Sequence, residues 1–297
     1  NKKYLASVAS IYSNFTEALG LVRSSDEGKV EALAAYGKQE KKLLKLLKDT
    51  WKVLDYIIDE PNPNKDLNFA INSNLGLGDN MIDKLIGKIN KIEDEDRVNE
   101  FIIFTSVDTW GKQAEYIRDG LEFNRFWDNC HKILEKCPRV NLTFMSTYNA
   151  LSVPNYHQLI SEVYNLKKVY GSSDRYWNSA VFLDSSYLRF PTHQTVQVLD
   201  EEWDKEIFKQ AQQADFLGVP AFEHKYIGFS DIEIQKIKRI YDWKVAQWSG
   251  KQQQIREHRY NFGKFFQEHD KRRGTNFCKI FPELAEFYRK CLEKKVW

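Results

Sequence analysis

The sequence predicts an α/β protein, with parallel strand–helix–strand units followed by a mainly helical C-terminal region. Four short apolar runs, Leu67 to Asn72, Glu100 to Thr105, Val140 to Ser146 and Ala180 to Leu183, are each separated from the next by one helical pattern. Strands alternating with single helices pair in parallel through right-handed crossovers. Polar residues gather directly after each run, where sheets of this kind bind ligands. Beyond Pro191 the pattern turns helical.

Taken in order, Trp51, Leu54, Ile57 and Ile58 share one helical face, and Pro61 and Pro63 stop that helix. The first strand follows, then a turn through Asn74, Gly76 and Gly78. Asp79 is placed to N-cap a helix from Asn80 to Ile92, with Ile82, Leu85, Ile86 and Ile89 on one side. After the second strand, Phe123, Phe126, Trp127, Ile133 and Leu134 mark the next helix; after the third, a helix runs from about Asn155 to Val169. The C-terminal region reads as helices Trp203 to Ala214, Ser230 to Gly250, about Gln252 to Asp270, and Pro282 to Lys294. Ser230 with Glu233 three residues on has the form of a capping box.

Bulk properties narrow the function classes. Lys and Arg number 44 against 42 Asp and Glu, a net charge of +2, so no charge excess argues for nucleic acid or an anionic membrane as partner. No apolar stretch reaches the roughly 20 residues that span a bilayer, and no signal peptide is recognised; a cytoplasmic protein is expected. Cys130, Cys137, Cys278 and Cys291 form no CxxC or CxxxCxxC set, and buried or half-exposed free thiols are the expectation, with no metal site. The chain starts at Asn1 and has only Met81 and Met145, which reads as a piece of a longer product.

The strand ends carry the chemistry. Asn72, Ser73 and Asn74 follow the first run; Ser106 and Asp108 the second; Ser146, Thr147 and Asn149 the third; Asp184 the fourth. In FTSVDTWGKQAEYIRDG, Ser106 and Asp108 offer a hydroxyl and a carboxylate to a ribose, and Arg118 can clamp a ligand carboxylate through its planar fork. The alternative is that Ser106 and Asp108 cap the helix that follows. The histidines form no HExxH and none stands at nucleophile spacing from a Cys or Ser; no catalytic residue is assigned.

From about Asp49 to Trp297, the stretches Asn72-Ser73-Asn74, FTSVDTWG, AEYIRDGLEF, LTFMSTYNALS and YDWKVAQW through RRGTNFCKIFPEL resemble the twitch-type radical S-adenosylmethionine family. That resemblance implies a (β/α) barrel of the radical SAM type, incomplete here, with a C-terminal helical region. It implies S-adenosylmethionine as cofactor, a 4Fe-4S cluster in intact relatives, and a peptide or small-molecule substrate. It would place Asn72 and Asn74 near the methionine end of the cofactor, Ser106 and Asp108 near its ribose, Arg118 at its carboxylate, and Thr147 and Asn149 on the adenine side. The family's CxxxCxxC loop and GGEP turn are absent from this sequence. With no thiolates to hold the cluster, radical chemistry is not expected.

Residues 1 to 44 differ. SIYSNFTEALGL followed by SSDEGKVEALAAYGK resembles a segment of the O-carbamoyltransferases related to nodulation and antibiotic-tailoring enzymes, through Glu27, Gly28, Lys29, Ala34, Ala35, Tyr36 and Gly37. An amphipathic helix from Val30 to Tyr36 is the local expectation. Three regions follow: a carbamoyltransferase-like fragment at 1–48, a partial barrel at 49–196 and a helical region at 197–297. The expected protein is a fragment of a radical SAM enzyme, inactive alone; the alternatives are a non-catalytic nucleoside- or S-adenosylmethionine-binding protein and a carbamoyltransferase-derived fragment.

Overall fold

The structure is a computed structural model and describes residues 49–63, 65–171, 180–218, 227–246 and 252–293. The EGKV segment and the helix expected at Val30 to Tyr36 lie outside the described residues. Among the described residues four strands form one sheet in the order β1-β2-β3-β4: β1 Asn68–Asn72, β2 Glu100–Ser106, β3 Asn141–Tyr148 and β4 Val181–Tyr187. The helices are α1 Asp49–Asp59, α2 Asp79–Asp94, α3 Gly111–Ile117, α4 Phe123–Lys136, α5 Tyr156–Tyr170, α6 Asp204–Phe216, α7 Asp231–Val245, α8 Gln252–Arg273, α9 Phe277–Ile280 and α10 Ala285–Leu292. The α/β class is as the sequence predicts; four strands in sequential order are compatible with part of a barrel and equally with an open sheet.

The chain divides into two units, one of residues 1–72 and 83–102, the other of 73–82 and 103–297. In the first, α1 buries Leu54, Ile57 and Ile58, the face its sequence pattern marks out. Its outer side is tied to α2 by an Asp55–Lys88 ion pair and by Lys84 Nζ lying 5.0 Å from the Trp51 ring centroid. Phe69 of β1 meets Phe101 of β2 edge to face at 5.4 Å, and the Asn99 N–H donates to the Leu67 carbonyl at 2.8 Å.

In the second unit β3 and β4 pair in parallel from Leu142↔Val181 to Tyr148↔Tyr187. Leu142, Phe144, Ser146 and Tyr148 fill one face of β3, while Met145 and Thr147 on the other are exposed. The buried face lies under an aromatic layer, with Trp127 of α4 stacked on Phe144 at 5.5 Å and Tyr156 of α5 edge-on to Tyr148 at 4.7 Å. Gly263 admits the close approach of α8 to α10: a Cβ there would meet the Cys291 backbone carbon at 2.9 Å. The Ser230–Glu233 capping box forms as expected, with Ser230 accepting from the Glu233 N–H.

Several expected boundaries move. β3 continues two residues past Ser146, and β4 runs through Asp184 to Tyr187, so Asp184 sits inside a strand rather than after it. Asp184 is accommodated there because Lys236 of α7 reaches it at 2.6 Å. Asp79 is the first residue of α2, and its carboxylate accepts from Lys132 at 2.8 Å. The expected final helix opens as a 3-10 turn, Pro282–Leu284, before α10.

Candidate functional site

β2 ends at Ser106, and the chain then turns through Val107, whose N–H donates to the Met145 carbonyl at 3.1 Å, keeping the exit of β2 beside β3. That places Asp108 against the end of β3. Its Oδ1 accepts from the Thr147 N–H at 2.8 Å and from Arg118 Nη2 at 3.2 Å, while Oδ2 lies 3.0 Å from the same Nη2. Arg118 is delivered by the short helix α3, where it is the C-cap and donates its backbone N–H to Ala114. The N-cap of α3 is Trp110 and no side chain caps it, so Asp108 joins β2, β3 and α3 rather than capping a helix.

The Asp108 side chain is 6% exposed and that of Arg118 is 35% exposed. Burial raises the Asp108 carboxyl above its ordinary range, and the Arg118 charge and Thr147 N–H pull the other way. The guanidinium meets Asp108 through Nη2 alone. Its Nε is buried and has no hydrogen-bond partner among the described residues.

Behind this pair, on the buried face of the sheet, lies a group of hydroxyls. Tyr156 and Ser185 are hydrogen-bonded at 2.6 Å, and burial pushes the Tyr156 hydroxyl up to about 12. Ser146 Oγ lies beside Tyr156 outside hydrogen-bond geometry, and Thr105 Oγ1 is likewise buried and unpaired among the described residues. Tyr156 and Ser185 carry no signal at the level of sequence, since a tyrosine at a helix start and a serine within a strand are common core residues.

Asp108, Arg118 and Thr147 come together, and Ser106 sits half-buried at the end of β2. Asn149 is near in sequence but turned into its own loop: Nδ2 donates to the Thr147 carbonyl at 2.9 Å and Oδ1 accepts from the Leu151 N–H at 2.9 Å, as in an Asx turn. Asn74 accepts from the Gly76 N–H at 3.2 Å in an exposed turn of the same kind, and Asn72, exposed, ends β1 in the other unit. The loop after β1 is held by buried Asn129, whose Nδ2 donates to the carbonyls of Leu75 and Leu77 at 2.8 and 2.9 Å. Leu75, with φ of 49°, is in the left-handed region that a leucine disfavours. A separate open depression of about 500 Å³, lined by charged residues of α4 such as Arg125, Asp128 and Lys132 together with Asp79, does not include the strand-end residues.

Metal ligation has little material here. Among the described residues no group of three or more His, Cys, Asp or Glu could hold a metal ion. Cys130, Cys137 and Cys291 are buried and Cys278 is half-buried, all free thiols as expected. Burial raises the Cys130 thiol well above its ordinary value and that of Cys291 to about 12, the reverse of what cluster ligation by thiolates needs. These cysteines do not fit a 4Fe-4S cluster. No helix among the described residues is long and apolar enough to cross a membrane.

The fold and site thus define an α/β protein with a polar cluster at its strand ends. In comparison with known proteins, residues 2–110 match the carbamoyltransferase N-terminus family. An uncharacterized protein of Methanocaldococcus jannaschii, MJ1058, is 58% identical over 48 residues, covering 16% of this chain and 8% of that protein. The chain therefore spans only a small fraction of that relative's length. No solved structure matches. The carbamoyltransferase likeness read at 1–48 is supported, and the match runs on through α1, β1, α2 and β2 to Trp110. Neither match gives evidence for the radical S-adenosylmethionine likeness.

Proposed function

We propose that this chain is a carbamoyltransferase-derived protein that binds a nucleoside-like ligand at the carboxyl ends of β2 and β3, without a complete catalytic set of its own. The observation that carries the first half is the family match over residues 2–110, which takes in Ser106 and Asp108. The binding half is supported by the strand-end geometry: Ser106 and Thr147 belong to adjacent strand ends, and Asp108 links the Thr147 N–H to the partly exposed Arg118 guanidinium. Hydroxyl and guanidinium donors in that arrangement suit a ribose bearing an anionic group.

Two measurements test the reading. Calorimetry with adenosine should give a binding heat that Asp108→Ala abolishes, because Asp108 fixes both Thr147 and Arg118; equal, negligible heats for the two proteins overturn it. Incubation with ATP, carbamoyl phosphate and hydroxylated acceptors should yield no carbamoylated product, whereas turnover would show that the catalytic set is complete.

A second reading, an incomplete radical SAM barrel inactive alone, is favoured by the parallel β3–β4 pairing and by Ser106, Asp108, Arg118 and Thr147 at the strand ends. Under it the ligand is S-adenosylmethionine. Reconstitution with iron, sulfide and dithionite should then leave the protein without cluster absorbance; stoichiometric cluster formation would refute the claim that the ligand set is missing.

A further inference from the structure

We propose that the Asp108–Arg118 pair is a proton-linked latch: an anionic group on the ligand displaces Asp108 from Arg118, and the released carboxylate takes up a proton from solvent. The inference rests on the nucleoside reading above and adds how that site discriminates its ligand.

The geometry of the pair carries it. A guanidinium holds a carboxylate or phosphate best with two parallel N–H groups, one to each oxygen. Here both Asp108 oxygens are met by one nitrogen, Nη2, at 3.2 and 3.0 Å, and Oδ1 is shared with the Thr147 N–H at 2.8 Å. The internal carboxylate is thus a poor occupant of the fork, and the Nε–H is left buried without an acceptor. With its side chain 35% exposed, Arg118 can be reached by an incoming anion, whereas Asp108 at 6% cannot be reached by water to the same extent. An anion that offers two oxygens satisfies Nε and a terminal nitrogen together.

Displacement leaves Asp108 with one N–H donor in a dry setting. The groups facing it are Arg118 at the end of α3, the Thr147 N–H of β3 and the Tyr156 hydroxyl of α5, beyond which Asp184 of β4 also faces Tyr156. Once Arg118 is engaged elsewhere, none of these supplies a positive charge, and burial already raises this carboxyl. The balance is one proton bound per anion: carboxylate plus proton gives carboxylic acid, and the guanidinium keeps its charge throughout. The ligand class is therefore an anionic nucleoside, carrying a carboxylate or a phosphate, in preference to the neutral one.

The test uses the full chain and three probes: adenosine, adenosine monophosphate and S-adenosylmethionine. Calorimetry in two buffers of different ionisation enthalpy reads protons bound. The phosphate and carboxylate probes should take up as much as one proton each, adenosine none, and anion affinity should rise by as much as about tenfold for each unit of falling pH. The stronger linked probe identifies which anion the site prefers. Asp108→Asn keeps an acceptor for the Thr147 N–H and should abolish the linked proton, and subtracting its values removes the phosphate's own protonation. Arg118→Gln should erase the preference for the anionic probes. Anion binding without proton uptake, or with equal uptake in Asp108→Asn, overturns the latch while adenosine binding still upholds the site. Failure of all three probes to bind removes the site and the latch together.

Discussion

Lys167 and Glu233 meet at 2.9 Å with side chains 0% and 1% exposed, and between them they occupy the outer edge of β4. Lys167 Nζ donates to the Val181 carbonyl at 2.8 Å, and the Leu183 N–H donates to Glu233 Oε1 at 2.8 Å. Among the described residues β4 is last in the strand order, and these are backbone groups that a further strand would otherwise pair. Glu233 also accepts from the Ser230 N–H at 2.8 Å, so one carboxylate ties the start of α7 to the sheet.

Removing one member of this pair should be severe. Burial pushes the Lys167 ammonium down from its ordinary value while Glu233 holds it up. Lys167→Met leaves the Glu233 carboxylate buried and uncompensated, and a loss of about 3–5 kcal/mol is expected in urea unfolding. Adding Glu233→Gln, which keeps an acceptor for Leu183, should recover more than half of that loss. Equal stability of the single and double variants would show that the pair does not act as a unit.

At the strand-end cluster, the two Asp108 substitutions should separate. Asp108→Ala leaves the Thr147 N–H without its acceptor and is expected to lose about 1–3 kcal/mol. Asp108→Asn retains an acceptor and removes a buried charge, so its stability near neutral pH should stay within about 1 kcal/mol of the parent. The sign follows from the raised Asp108 carboxyl: a carboxyl raised in the fold stabilises at low pH and loses that contribution as pH rises through its folded value. The advantage of Asp108→Asn over the parent should accordingly grow with pH, measured by denaturant midpoints.

Asn129→Ala should free the loop after β1. It removes two hydrogen bonds to buried or half-buried carbonyls, and about 1–3 kcal/mol of stability is expected to go. Because Leu75 is held at positive φ, amide exchange should quicken over residues 73–78 more than across β3. Uniform quickening would mean that the loop is not held locally.

Acid should weaken the region where the chain leaves β4 and meets α8. His193 lies against the Phe265 ring at 5.1 Å, and burial followed by the His258 charge lowers it from the ordinary 6.5; burial followed by the Arg273 charge lowers His269 in the same way. For a histidine lowered in the fold, the unfolded chain protonates first, so stability present above 6.5 is lost as pH falls through that window. His193→Gln should flatten the slope of stability against pH just below 6.5; an unchanged slope would assign the effect elsewhere.

Much of the fold was legible because its signals are local. The faces of α1 and α2, the Ser230–Glu233 box and the four apolar runs are set by side-chain period and capping chemistry that act over a few residues. The strand ends were less so. Thr147 and Asp184 looked like residues after a strand and are strand residues, Asp184 with Lys236 of a distant helix set against it. Arg118 and Asp108 were legible as residue types but not as a pair, since their meeting depends on β3 supplying the Thr147 N–H. Asn149, read as a ligand group, is claimed by its own turn. The carbamoyltransferase likeness was visible in the EGKV segment, while its continuation through β2 has no comparable short motif.

The ammonium and carboxylate seated on β4 also decide how copies of this chain can meet. With the Val181 carbonyl and the Leu183 N–H bolted in this way, the first half of β4 offers a neighbouring strand a broken ladder, so edge-against-edge stacking of molecules is disfavoured there. Loss of the bolt would turn the same strand into a seed for fibrous growth, and Lys167→Met should therefore aggregate faster than its reduced stability alone accounts for.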